Sequence, residues 1–204
     1  MRKYLTRGFT LVELLIVIGL LGAIALIVIA AINPIEQANR ARDARFKADG
    51  GQLISAIERY YAAHSAFPWE GCAAVGCTTA SDDEFAFLMA GSEAVGLCGS
   101  SCSVPGLLID NDELKTEFLG RDWATAITAD KQIMIGKAGT SASSVYACFI
   151  PLSKSERDKA AKAVPSKVRS LTFEANGTIS INGACTTGAG TNWVDDACYV
   201  CIPE

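Results

Sequence analysis

The chain has 204 residues, with 18 Lys and Arg against 22 Asp and Glu for a formal net charge of −4, eight cysteines and a single histidine. That balance argues against a general affinity for nucleic acid and leaves room only for a local basic patch. One histidine, without a Gly-x-Ser-x-Gly, phosphate-loop or His-Glu-x-x-His motif, offers an enzyme little to work with.

The first element is an apolar run. Residues 9–32 are 24 positions in which Glu13 is the one ionisable side chain. As a helix the run is roughly 36 Å long at 1.5 Å per residue, enough to cross a bilayer. A carboxylate at a membrane helix centre costs about 2.5–3.5 kcal/mol even on lenient scales, and less near an end, where it snorkels. Glu13 is therefore a functional candidate, with a tolerated interfacial acid as the bland alternative. Before the run lies a short basic leader, residues 1–8, carrying Arg2, Lys3 and Arg7 and ending in Gly8. An ordinary secretory signal has an apolar core of about 7–15 residues and a small-residue cleavage site. Here Val28-Ile29-Ala30 would pass as such a site, but the run is too long and holds an acid at its start. A plain anchor accounts for the length and leaves Gly8 and Glu13 unexplained.

The leader together with Gly8-Phe9-Thr10-Leu11-Val12-Glu13 resembles the processing signal of the type IV pilin and type II secretion pseudopilin family. The resemblance implies cleavage between Gly8 and Phe9 by a prepilin peptidase, methylation of the new N-terminal Phe9, and a role for Glu13 in filament assembly. It further implies partners: membrane lipid before assembly, then identical or related subunits in a helical polymer. Loss of Arg2, Lys3 and Arg7 with the leader takes the net charge from −4 to −7. Basic residues lie on both sides of the run, since Arg40, Arg42, Arg45 and Lys47 follow it, so the charge rule alone does not orient the chain.

Asn33-Pro34 marks a break, because proline lacks an amide hydrogen and disfavours helix in the residue before it. Helical spacing then resumes, with Phe46, Gly50, Leu53, Ile54, Ile57, Tyr60, Tyr61 and His64 on one stripe. Glu36 with Arg40 and Asp43 with Lys47 support the opposite face. Gly50-Gly51 is a soft point at about 1 kcal/mol per residue against alanine, unless packing holds it. Residues 38–69, ending in Tyr60-Tyr61 and Phe67-Pro68, also look like the second half of a pilin helix and its exit. On this stripe His64 reads as a partly buried packing residue rather than a base.

Residues 69–120 read as loop-rich, with Ser81-Asp82-Asp83-Glu84 as a capping box opening a short helix through Met89 and a second short helix over 111–119. Strand signals follow at 132–135 and 145–150. Residues 171–175 and 178–181 flank Asn176-Gly177, a strong hairpin signal. Between these pairs, 153–164 is a charged helix stopped by Pro165, and 199–202 is a candidate edge strand. Asp82, Asp83, Glu84, Asp110, Asp112 and Glu113 are acidic helix starts before they are calcium ligands, and Asp195-Asp196 is the one further acidic pair of note.

Eight cysteines beyond a membrane segment read as four disulfides in an oxidising compartment. Zinc is the rival, on the ligand-like spacing of Cys198 and Cys201, but the spacings are unequal and the leader points to export. Cys72 with Cys77 and Cys98 with Cys102 are the expected local pairs. Cys148, Cys185, Cys198 and Cys201 admit three connectivities, with Cys148–Cys201 and Cys185–Cys198 as the leaning.

The expected fold is α+β: a leader (1–8), a hydrophobic helix (9–32), its amphipathic continuation (33–68) and a disulfide-stapled head (69–204), the helix packing on an antiparallel sheet of about four strands. The expected function is a non-enzymatic structural subunit of a pilus or pseudopilus, with no cofactor, metal or specific nucleic acid. It would start as a single-pass membrane precursor with an extracytoplasmic head and end in a cell-surface filament. The alternatives are a tip-located adhesin and a membrane-tethered extracellular enzyme.

Overall fold

The computed structural model describes residues 8–70, 84–139, 143–174, 177–185 and 192–203, with the backbone alone at 30 and 31. Residues 1–7 of the expected leader, both Cys72 and Cys77, the Ser81–Asp83 part of the expected capping box, and Asn176 of the expected hairpin turn lie outside the described residues. Contacts divide the chain into two units, one ending at Ala38 and the other beginning at Asn39.

In the first unit, α1 (Leu11–Ala31) is built almost wholly of Leu, Ile, Val and Ala. Thr10, in an extended conformation, caps its start, and the helix ends at the equally extended Ile32. The stop follows from Pro34, which penalises helix at Asn33. Helix α2 (Pro34–His64) then begins with the proline in its first turn, where its missing N–H costs nothing. The Asn33 side-chain oxygen accepts from the Glu36 amide at 3.2 Å.

From Asn39 onward α2 belongs with the sheet. Its buried residues are Asp43, Phe46, Asp49, Gly50, Leu53, Ile54, Ala56, Ile57 and Tyr60, which is the apolar stripe plus two carboxylates. Gly50 is there because there is no room for more: a Cβ on it would stand 3.1 Å from the Ala147 Cβ, whereas Gly51 faces open space. The stripe ends earlier than its spacing implied. Tyr61 is half-buried, and His64 is exposed, its ring stacked on Tyr60 at 4.2 Å.

Among the described residues the sheet has six strands rather than about four, and every neighbouring pair is antiparallel. In chain order they are β1 (Phe85–Met89), β2 (Met134–Lys137), β3 (Val145–Phe149), β4 (Val168–Phe173), β5 (Ile179–Ile181) and β6 (Tyr199–Ile202); in space the order is β1-β2-β3-β6-β4-β5. The α-helices that accompany them among the described residues are α2, the single turns α3 (Leu107–Asp110) and α4 (Asp122–Thr125), and α5 (Lys154–Lys162), capped by the Ser153 hydroxyl. The sheet curls, so that Phe87 of β1 stacks on Phe173 of β4 with centroids 5.1 Å apart.

Three expectations are corrected here. The segment through Met89 is strand β1, because its aromatic residues must serve two cores. Phe85 continues a stack of Tyr61, Phe67 and Trp69 on the α2 side. A bulge between Phe85 and Leu88 turns Phe87 to the other side, into a pocket that Gly136 keeps open. In place of the helix expected over 111–119, Asp112 at positive φ breaks the chain after α3, and a 3-10 turn follows at Thr116–Gly120. Leu108 of α3, Leu114 and Phe118 are all buried. Finally, β6 is not an edge strand: it lies between β3 and β4, since its residues are buried on both faces.

Candidate assembly segment and the stapled sheet

Gly8 and Phe9 are exposed, and Phe9 is 85% exposed. Two residues on, Thr10 and Glu13 form a reciprocal capping box. The Thr10 hydroxyl oxygen accepts from the Glu13 amide at 3.2 Å, and Glu13 Oε2 accepts from the Thr10 amide at 2.8 Å and from the Thr10 hydroxyl at 2.9 Å. The carboxylate is thus turned back toward the N-terminal end of α1, onto the peptide that joins Phe9 to Thr10. A negative charge there also suits the helix dipole. Thr10 is a participant the sequence reading passed over, although Thr-x-x-Glu before an apolar run is its written sign.

Helix α1 is apolar on every side. Its large hydrophobic residues from Leu11 to Ile29 are all between 49% and 80% exposed, where a helix lying on a core would have one covered side. The stretch Leu11–Ile29 is long and apolar enough to cross a membrane. Covering fourteen such side chains is worth on the order of 20–40 kcal/mol, so this surface demands lipid or protein around it.

The beginning of α2 in the second unit is fixed by polar contacts rather than by apolar packing. Buried Asp43 accepts from the amides of Leu152 and Ser153 at 3.1 and 2.8 Å, and from Arg42 at 2.9 Å. Arg42 also donates to the Ile150 carbonyl and stands over the Phe46 ring. Burial pushes the Arg42 pKa down, and the Asp43 charge opposes that push. Lys47 pairs with Glu156 of α5. One turn further, Asp49 accepts from the Trp123 indole at 2.8 Å. Asp43 and Lys47, an i,i+4 pair in the sequence, therefore serve separate partners on the segment 150–156.

The outward side of α2 is different. Ala41, Ala44, Ala48 and Ser55 are exposed and Gly51 half-exposed, so small residues recur at steps of three and four. Part of this side forms one wall of a groove of about 800 Å³, opposite Lys115, Glu117 and Phe118.

Among the described residues six cysteines are paired: Cys98–Cys102, Cys148–Cys201 and Cys185–Cys198. Cys148 and Cys201 stand opposite one another on β3 and β6, so that bridge staples the centre of the sheet. Cys185–Cys198 pins the segment before β6, where Trp193 is buried. Among the described residues no group of three or more His, Cys, Asp or Glu is arranged to hold a metal ion. Lys137, which the sequence did not mark, is fully buried at the end of β2, with Nζ 3.0 Å from the Ala138 carbonyl and 5.0 Å above the Phe67 ring.

These features define an α+β protein with an N-terminal apolar helix, a curled antiparallel sheet and disulfide staples. Comparison with family models, with curated proteins and with solved structures returns no match.

Proposed function

We propose that this chain is a structural subunit of a type IV pilus or pseudopilus, processed after Gly8, N-methylated at Phe9 and polymerised through its N-terminal helix. The observation that carries the reading is α1: apolar around its whole circumference, wholly exposed, and opened by a carboxylate held at its start. An anchor needs the apolar surface and takes from Glu13 only a helix cap, whereas a polymer of staggered helices uses the charge as well. Cleavage at Gly8 creates a positive α-amino group on Phe9, next to the Thr10 amide that Glu13 already accepts from. In a packed array the Glu13 of one copy meets the Phe9 amine of the next, relieving two poorly solvated charges and fixing the axial stagger. The small-residue side of α2 lets a neighbouring backbone come close. Before assembly the chain sits in the cytoplasmic membrane with its stapled unit outside, consistent with disulfides; afterwards it stands on the cell surface in the filament.

The reading is tested by the mass of the protein in sheared filaments. Mature subunits lack the eight leader residues and carry one added methyl group, and full-length chains in filaments overturn it. In cells making no wild-type subunit, Glu13→Ala should leave insertion, cleavage and disulfides intact while filament yield collapses. Wild-type yield would reduce Glu13 to a capping residue.

A further inference from the structure

Assembly through α1 leaves the surfaces of the second unit unassigned, and two of them are complementary in charge. The first is the groove of about 800 Å³ on the outward side of α2. Its lining carries four cations, Lys47, Arg59, Lys115 and Arg121, against two acids, Glu113 and Glu117, a surplus of two positive charges. Lys47 is taken by Glu156, and Arg59 by Glu113 at 2.8 Å. Lys115 is exposed, and no described residue pairs with it. Arg121 is under-satisfied. Its Nη2 stands 3.6 Å from Asp49, beyond hydrogen-bond length, and its buried Nε has no hydrogen-bond partner among the described residues. The side chain is 38% exposed, so a carboxylate arriving from outside can reach the guanidinium.

The second surface is the turn before β6, where Asp195 and Asp196 are exposed side by side. The turn is closed by its own backbone: the amides of Asp196, Ala197 and Cys198 donate to the carbonyls of Asn192, Val194 and Trp193 at 2.8, 3.2 and 2.9 Å. The Asn182 side chain donates to the Asp196 and Ala197 carbonyls at 3.0 and 3.2 Å. Buried Trp193 and the Cys185–Cys198 bridge hold its base. Asn192 donates to one oxygen of Asp195, while the Asp196 carboxylate pairs with no described residue. A turn fixed in this way has little freedom left to lose on docking. Groove and turn lie on opposite sides of the sheet. Ala147 and Phe149 of β3 face α2, through Gly50 and Phe46, so strand alternation sends Cys148 to the other face, where Trp193 and Cys198 share its core. A contact between two such different patches is heterologous, and where its rotation does not close a ring it propagates as an open helix. Ala48 and Gly51 on the α2 wall of the groove leave room for a backbone turn to enter.

We propose that the turn bearing Asp195 and Asp196 of one copy docks in the α2 groove of the next, its carboxylates on Lys115 and Arg121. The inference deepens the filament reading and rests on it: α1 packing holds the copies together, and the charge pairs select how neighbouring heads meet. Carbodiimide treatment of sheared filaments tests it directly, because the reagent joins a lysine amine to a touching carboxylate as an amide and carries off the water as a urea. Peptide mapping should find Lys115 joined to Asp195 or Asp196 in filaments, and no such link in detergent-solubilised monomers treated alike. In cells making no wild-type subunit, Lys115→Glu and Asp196→Lys should each lower filament yield by about tenfold or more, and both in one chain should restore it to within about threefold of wild type. Both side chains are exposed, and precursor level and disulfide map show that each variant folds. The docking is overturned if filaments crosslink through other lysines but not through Lys115 to this turn, or if the single reversals keep wild-type yield. It is equally overturned if the double reversal fails to restore yield, since the groove then takes a different partner. Full-length chains in wild-type filaments overturn the filament reading, and this contact with it.

Discussion

Replacing Asp43 with alanine removes the group on which the beginning of α2 depends. The carboxylate is 3% exposed and accepts three hydrogen bonds, from the Leu152 and Ser153 amides and from Arg42. Truncation leaves two backbone donors and a half-buried guanidinium without their acceptor. Each orphaned buried donor costs about 1–3 kcal/mol, and breaking a buried ion pair by removing one member costs about 3–5 kcal/mol. The two estimates count overlapping losses, so the expected total is about 3–5 kcal/mol. For a unit of this size each kcal/mol lowers the midpoint by about 2–4 °C, which puts the fall near 10 °C. Asp43→Asn keeps one acceptor oxygen and should lose roughly half as much. The assay is thermal unfolding of the oxidised full chain in detergent, followed by near-ultraviolet circular dichroism, which reports the buried tryptophans. A midpoint for Asp43→Ala within about 2 °C of wild type would refute the reasoning, since it would mean that water or another donor pairing replaces the carboxylate at no cost.

The two adjacent glycines of α2 should respond oppositely to alanine. Gly51→Ala gains about 0.8–1 kcal/mol of helix propensity in open space, while Gly50→Ala pushes a Cβ to 3.1 Å from that of Ala147 and loses stability; paired denaturant titrations check this. Burial raises the Tyr199 pKa above its ordinary value of 10.0, so the folded state favours the neutral phenol. That contribution is intact below pH about 10 and is lost as the pH rises through the higher folded value. Unfolding midpoints should therefore fall at alkaline pH, and Tyr199→Phe should flatten that fall. Replacing Cys148 and Cys201 together by alanine releases a loop with a sequence separation of 53, worth about 4 kcal/mol of unfolded-state entropy, and should lower the denaturation midpoint far more than loss of the four-residue Cys98–Cys102 loop.

What the sequence by itself determined is local. The apolar run, the break at Pro34 and the stripe of α2 follow from composition and from periods of 3.6, because a helix closes its hydrogen bonds within one segment. The charged helix α5 and the position of β3 were legible for similar reasons, with Ser153 and the short β-rich run at 145–150 as their signals. The Thr10–Glu13 box was written there too and was overshadowed by the oddity of an acid in an apolar run. Tertiary structure decided the rest. The segment of Phe85 and Phe87 became a strand because two cores on opposite faces each needed an aromatic ring, which no local propensity encodes. Strand β6 lies inside the sheet because its neighbours, β3 and β4, reach it from distant parts of the chain. A local pattern fixes which face a side chain takes; which other chain segment meets that face is settled by long-range pairing.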